Sequence, residues 1–156
     1  MEDRVVTVDL PGGTVDLREL VLDFTGTLAC DGKLLPGVAE RLRALAQHLR
    51  ISVMTADTFG TATASLAGLP LTLTRIETGA DKKRLVAAMG PEHVVAVGNG
   101  VNDVAMLEVA RLGIAVIGPE GAATVLVRAA DIVVGDIHSA LDLLVNPLRI
   151  KATLRA

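Results

Sequence analysis

The hydrophobic positions of this chain fall into two alternating kinds. Short, nearly continuous apolar runs occur at "LVLDF" (20–24), "ISVM" (51–54), "VVAV" (94–97), "IAVI" (114–117) and "DIVV" (131–134). They are too uniformly apolar to leave one face in water, which is the pattern of strands buried on both sides. Between them lie longer stretches with helical periodicity. "GVAERLRALAQHL" (37–49) places Val38, Leu42, Leu45 and Leu49 on one face and follows Pro36, a start signal. Further helices are expected over 58–67, over 81–89 ending at "GP", and over 102–111, 120–129 and 137–145. "LTLTRI" (71–76) offers one more strand, and "VVTVDL" (5–10), "PGG" and "TVDL" (14–17) read as a short β-hairpin.

Strand alternating with helix predicts an α/β fold: a parallel central sheet between two helical layers, joined by right-handed crossovers. The 156 residues are expected to form one domain, with 1–18 as the hairpin extension, 19–146 as the core and 147–156 as a C-terminal tail. In such a sheet, ligands bind beyond the carboxyl ends of the strands. The polar residues that close each apolar run therefore face one another: Asp23 after the first, Thr55 and Asp57 after the second, and Asn99, Asn102 and Asp103 after the third.

Composition narrows the classes of function. The chain is 51% hydrophobic yet has two Phe and no Trp or Tyr, so its core is built from Val, Leu, Ile and Ala. A net charge of -3 without a basic run, and the lack of aromatic stacking platforms, argue against nucleic acid or an anionic membrane as partner. The single Cys30 and three scattered His residues give no structural zinc spacing. "MEDRVVTVDL" lacks the pattern of a secretory signal, and no apolar run reaches the ~18 residues of a membrane span. A cytoplasmic protein is the expectation.

Four segments carry candidate chemistry. In "DFTGTL" a carboxylate at a strand end precedes a Gly-containing turn whose N–H groups can converge on an anion; this is either a nucleophile beside a phosphate cradle or simply a strand ending in a turn. "VMTADT" ends a strand with Thr55, whose hydroxyl can donate to a phosphoryl oxygen, while Asp57 suits a helix cap. "GADKKRLVAAMG" puts Lys82 and Lys83 in the first turn of a helix, where the dipole disfavours cations. We take Lys82 as the inward one, able to neutralise a carboxylate and a phosphate. "VVAVGNGVNDVAML" sets oxygen-bearing side chains on a Gly-rich turn, which suits Mg²⁺ or, equally in isolation, two helix-capping residues.

Together these motifs resemble those of the haloacid dehalogenase superfamily, and within it the phosphorylation domain of P-type ATPases. "DFTGTL" is similar to D-K-T-G-T-L, "MTAD" to T-G-D, "DKKRLV" to D-K-x-R-I-V and "GNGVNDVAML" to G-D-G-V-N-D-x-x-x-L, and the likeness runs from about residue 20 to 145. The resemblance implies a Rossmann-like three-layer sandwich and an Mg²⁺-dependent phosphohydrolase working through an aspartyl-phosphate. It implies Asp23 as nucleophile and the Thr25 carbonyl, Asn99 and Asp103 as further metal ligands. It implies Phe24, Thr25, Gly26, Thr55, Ala56 and Lys82 around the phosphoryl group, with Thr27, Asp57 and Asn102 in support.

Two departures from the family pattern bear on the reaction. Thr25 stands where most phosphatases of the superfamily carry a second Asp, so hydrolysis of the phosphoenzyme is expected to be slow. Asn99 stands where the pattern has an acidic ligand. The 28–54 interval leaves no room for the nucleotide domain of an ATPase or for a cap domain, so ion pumping is not expected and the site should be open. An open site fits a bulky or macromolecular phosphorylated substrate, or a homo-oligomer in which one chain lids another, with the hairpin as a candidate contact. Two other readings stand beside hydrolysis: ATP-driven autophosphorylation at Asp23 with slow turnover, and a phosphate-binding regulatory module without turnover.

Overall fold

The computed structural model describes residues 4–56 and 60–156. Six strands form one wholly parallel sheet in the order β10-β9-β8-β3-β6-β7. They are β3 (Glu19–Asp23), β6 (Arg50–Thr55), β7 (Thr72–Arg75), β8 (Val94–Gly98), β9 (Leu112–Val116) and β10 (Ile132–Val134). Every residue of β3, β8 and β9 is buried. Their side chains divide by parity: Leu20 and Leu22 enter one apolar cluster and Val21 the other, as do Val95 and Val97 against Val94 and Ala96. This two-sided burial is why the strands read as uninterrupted apolar runs.

One face is covered by α1 (Val38–Leu45) and α6 (Ile137–Val145), whose residues Leu42, Leu45, Leu141 and Leu144 join the larger cluster. On the other face, α3 (Gly79–Ala88), α4 (Val104–Val109) and α5 (Thr124–Ala129) supply Val86, Met106, Leu107 and Leu126. The six-residue α2 (Thr61–Leu66) packs Ala62 and Leu66 beneath the sheet edge. The architecture is thus the expected Rossmann-like α/β/α sandwich.

The expected hairpin is β1 (Val6–Leu10) against β2 (Gly13–Leu17), with Val6, Val8 and Leu10 inward. It stands at the amino end of the sheet, where the Arg18 N–H donates to His93 O at 2.8 Å and the Arg50 N–H donates to Arg18 O at 2.9 Å. The last residues are not a loose tail. Residues Pro147–Leu154 form α7, which lies against β1, buries Ile150 completely and pairs Lys151 with Asp9 at 3.3 Å. The hairpin's apolar face is therefore covered by its own chain, and the hairpin lies at the opposite end of the sheet from Asp23.

Two elements depart from the sequence reading. A small hairpin, β4 (Ala29–Cys30) with β5 (Lys33–Leu34), projects after β3. Its turn residues Asp31 (φ 52°) and Gly32 (φ 77°) are both left-handed, the conformation that an Asp-Gly pair favours in tight hairpin turns. The helix expected over 120–129 begins only at Thr124, because left-handed Gly118 and Gly121 hold residues 118–123 as a loop at the carboxyl edge.

Replacing Ile150 by Ala removes a fully buried side chain from the contact between α7 and the core. The expected outcome is a loss of about 2–5 kcal/mol in denaturant unfolding, where a dangling tail would give no change.

Candidate active site

Asp23 ends the central strand β3 between Thr55 at the end of β6 and Asn99 just after β8. Its side chain is 9% exposed and its two oxygens are held differently. Oδ1 accepts from Lys82 Nζ at 2.8 Å, and Oδ2 accepts from Thr27 Oγ1 at 3.1 Å. Lys82 Nζ also donates to Asp103 Oδ1 at 2.6 Å, so one ammonium, 1% exposed, bridges two buried carboxylates.

The start of α3 positions that lysine. Thr78 caps the helix by accepting from the Asp81 N–H, and Asp81 Oδ2 accepts in return from the N–H groups of Glu77 at 2.9 Å and Thr78 at 3.0 Å. Arg84 also pairs with Asp81. These backbone donors, with Arg84 after them, hold the Asp81 carboxyl down at about 2. One residue on, Lys82 shares the inward face with Val86, four positions later, while Lys83 is exposed. The helix start also lies close against the β8–α4 turn: a Cβ on Gly79 would meet Asn102 O at 2.6 Å.

Burial raises the Asp23 carboxyl to about 6, reinforced by the Asp103 charge and opposed by Lys82 and Thr27. For Lys82, burial disfavours the charge, but Asp23 and Asp103 outweigh it and the ammonium is held above its ordinary value.

Asp103 is fully buried and does not line the cavity in front of Asp23. Oδ1 is taken by Lys82, while Oδ2 accepts from the N–H groups of Asn99 at 3.2 Å and Gly100 at 3.1 Å. A Cβ on Gly98 would stand 2.5 Å from this carboxylate, so the β8 end must be glycine for Asp103 to fit. Its position is that of a brace for Lys82 and for the Gly-Asn-Gly turn.

Asn99 is oriented by its own bonds. Its Nδ2 donates to Gly121 O at 3.1 Å, which turns Oδ1 toward Thr27 Oγ1 at 3.3 Å. The same hydroxyl also lies 3.1 Å from Asp23 Oδ2, so a carboxylate oxygen and an amide oxygen flank the Thr27 hydroxyl. Such a donor set suits a hard divalent cation such as Mg²⁺. Gly26, expected at the phosphate, has its N–H committed to Ala29 O at 2.9 Å. Its contribution is room: a Cβ there would meet Asn99 Nδ2 at 2.5 Å. The Phe24 side chain is buried in the core, so only its backbone can face a ligand.

In front of Asp23 opens a cavity of about 640 Å³ lined by Thr25, Thr55, Ala56, Asn99 and Asn102 among others. Of the expected residues, Asp23, Thr25, Thr55, Ala56, Asn99 and Asn102 line this cavity; Phe24, Gly26, Thr27, Lys82 and Asp103 do not, and Asp57 lies outside the described residues. Sequence reasoning missed Asp31, Gly32, Thr61, Gly100 and Glu120, which also line the cavity. The Asp-Gly turn was the available signal for the first two.

No family model matches the chain. Solved structures similar to it include a chain assigned to the HAD hydrolase family from Streptomyces avermitilis, at TM-score 0.69 and 22% identity over 86% of this chain and 87% of that one. Another is 3-deoxy-D-manno-octulosonate 8-phosphate phosphatase from Moraxella catarrhalis, crystallised with magnesium, phosphate and KDO, at TM-score 0.70 and 16% identity over 89% and 94%. A zinc-transporting P-type ATPase in the E2P state matches at TM-score 0.64 and 22% identity over 77% of this chain but 20% of its own length. The fold is that of the haloacid dehalogenase superfamily.

Among curated proteins, MJ0073 of Methanocaldococcus jannaschii, itself uncharacterised, is 55% identical over 64 residues, 41% of this chain and 69% of MJ0073. MJ0072 of the same organism, also uncharacterised, is 46% identical over 39 residues, 25% of this chain and 89% of MJ0072. The chain belongs to one family with MJ0073.

Replacing Lys82 by Met leaves two buried carboxylates facing each other. Urea unfolding should show a loss of about 3–5 kcal/mol, and adding Asp103→Asn should recover part of it; a neutral single variant would mean that the lysine is not the link. Asp81→Asn should lower the melting temperature near neutral pH. Because the folded carboxyl is depressed from 3.8 to about 2, its contribution is full above the unfolded value and lost as pH falls through the folded one. The melting curves of variant and parent should therefore converge between those two values.

Proposed function

We propose that the chain is an Mg²⁺-dependent phosphohydrolase that turns over phosphate monoesters or acyl phosphates through an aspartyl-phosphate at Asp23. The observation that supports it most directly is the asymmetric hold on Asp23. Oδ1 accepts from Lys82 and Oδ2 from Thr27, whose hydroxyl also reaches the amide oxygen of Asn99, and Asp23 lines an open cavity that also presents Thr55 and Asn99. Asp23 Oδ2, the Asn99 amide oxygen and the Thr25 carbonyl would hold Mg²⁺, whose chemistry there is to offset charge between carboxylate and phosphate.

In the first step the Asp23 carboxylate attacks phosphorus and the bond from phosphorus to the leaving oxygen breaks, that oxygen taking a proton from solvent. Lys82 keeps the carboxylate ionised and, with Thr55 and the turn backbone at Thr25, compensates the charge of the phosphoryl group. Water then attacks the acyl phosphate, restoring Asp23 and releasing inorganic phosphate and a proton. Thr25 is exposed at the cavity, and a hydroxyl is a poor base near neutral pH. The second step is therefore the slow one, and phosphoenzyme accumulates.

Phosphate release from a panel of small phosphates, acetyl phosphate and ATP should require Mg²⁺ and vanish in Asp23→Asn. Thr25→Asp should raise turnover by about 10²–10⁴-fold and drain the phosphoenzyme. Equal release by Asp23→Asn would remove the nucleophile from the scheme. A trapped phosphoenzyme with ATP alone would favour the autophosphorylating reading.

A further inference from the structure

The cavity that holds Asp23 is also lined by two further acids. The β4–β5 turn brings Asp31 and the 118–123 loop brings Glu120 into the cavity that holds Asp23, and no Lys or Arg lines that cavity among the described residues. Lys82, paired with Asp23 and Asp103, does not line it, and Arg75 lines a separate hollow beyond Ala56. The two wall carboxylates have no ion-pair partner among the described residues. The Asp31 N–H donates to Glu120 Oε2 at 3.4 Å, so the hairpin and the loop are joined at this point.

A third group senses the same field. Asp31, Glu120 and Cys30 bring ligand-type atoms within 4.8 Å of one another, and the Cys30 thiol is pushed up by burial and then by both carboxylate charges. A phosphate monoester seated on Asp23 must extend its alcohol portion from phosphorus toward solvent, across this cavity. An anionic alcohol would meet Asp31 and Glu120 with repulsion, and a cationic one with attraction.

Resting on the phosphohydrolase reading of the cavity, we propose that Asp31 and Glu120 determine specificity. They select phosphate monoesters whose alcohol carries a protonated amine at the end remote from phosphorus. The reacting end is shared with any phosphohydrolase of this design, and discrimination lies in the hairpin turn and the loop.

The test uses matched ω-ammonio-, ω-hydroxy- and ω-carboxyalkyl phosphates of increasing chain length with the full chain and Mg²⁺, at slightly acidic pH and low salt. Expected kcat/KM at the best length falls in that order, by about fivefold or more per step, a size suited to partly exposed charges. The steps should shrink with added salt and collapse in Asp31→Asn/Glu120→Gln, whose amides keep the shape of the wall. Hydroxyalkyl phosphates as good as their ammonium partners at every length, or a preference that survives in the double variant, would overturn the proposal. Calorimetric binding of the same series to Asp23→Asn separates the two readings. Binding in the ammonium-first order without turnover by the parent would sink the hydrolase and keep the selectivity. Turnover with no order in either assay would do the reverse.

Discussion

A single buried ammonium organises this molecule's carboxyl edge. Lys82 lies between Asp23 and Asp103, from three different strand-to-helix or helix segments, and the three are almost wholly removed from water. Any one of them alone would be expensive to bury. Together they fix the relative positions of β3, α3 and the β8–α4 turn, since displacing any of these strands a charge. The surrounding glycines are what this demands: the β8 end must leave space for the Asp103 carboxylate, and the α3 start must pass close to Asn102.

The rest of the site follows from that hold. With Asp103 braced by the Asn99 and Gly100 N–H groups, the turn presents Asn99 to Thr27 and Asp23. Asn99 then ties the 118–123 loop through Gly121 O, and the Ala123 N–H donates to Asn99 O at 2.9 Å. An amide serves here where a carboxylate would place an oxygen against the Gly121 carbonyl. The residue thus anchors the loop that carries Glu120.

The strands, the Ala-rich helices and the carboxyl-edge residues were legible from the chain because parallel strands buried on both faces produce apolar runs, and crossover topology sends their ends to one edge. The choice of Lys82 over Lys83 came with the structure, which buries Lys82 beside Val86 and leaves Lys83 exposed, since one residue of helix rotation decides it. Less legible were the β4–β5 hairpin, whose strands of two residues each carry no periodicity, and the C-terminal helix, whose core contact rests on Ile150 alone among its buried residues. The position of Asp103 could not be read at all, because a metal ligand and a buried brace require the same residue type on the same turn.

The sequence by itself determined the sheet, the layers and the identity of the edge that carries chemistry, since these depend on local period and on rules of chain crossing. Only the tertiary structure decided which oxygen of Asp23 faces the lysine, that Asp103 does not line the cavity, and that Asp31 and Glu120, 89 residues apart, line it together. Those facts depend on where segments distant in the chain come to rest against one another, and hydrophobic periodicity along the chain does not encode the angle or depth of that contact.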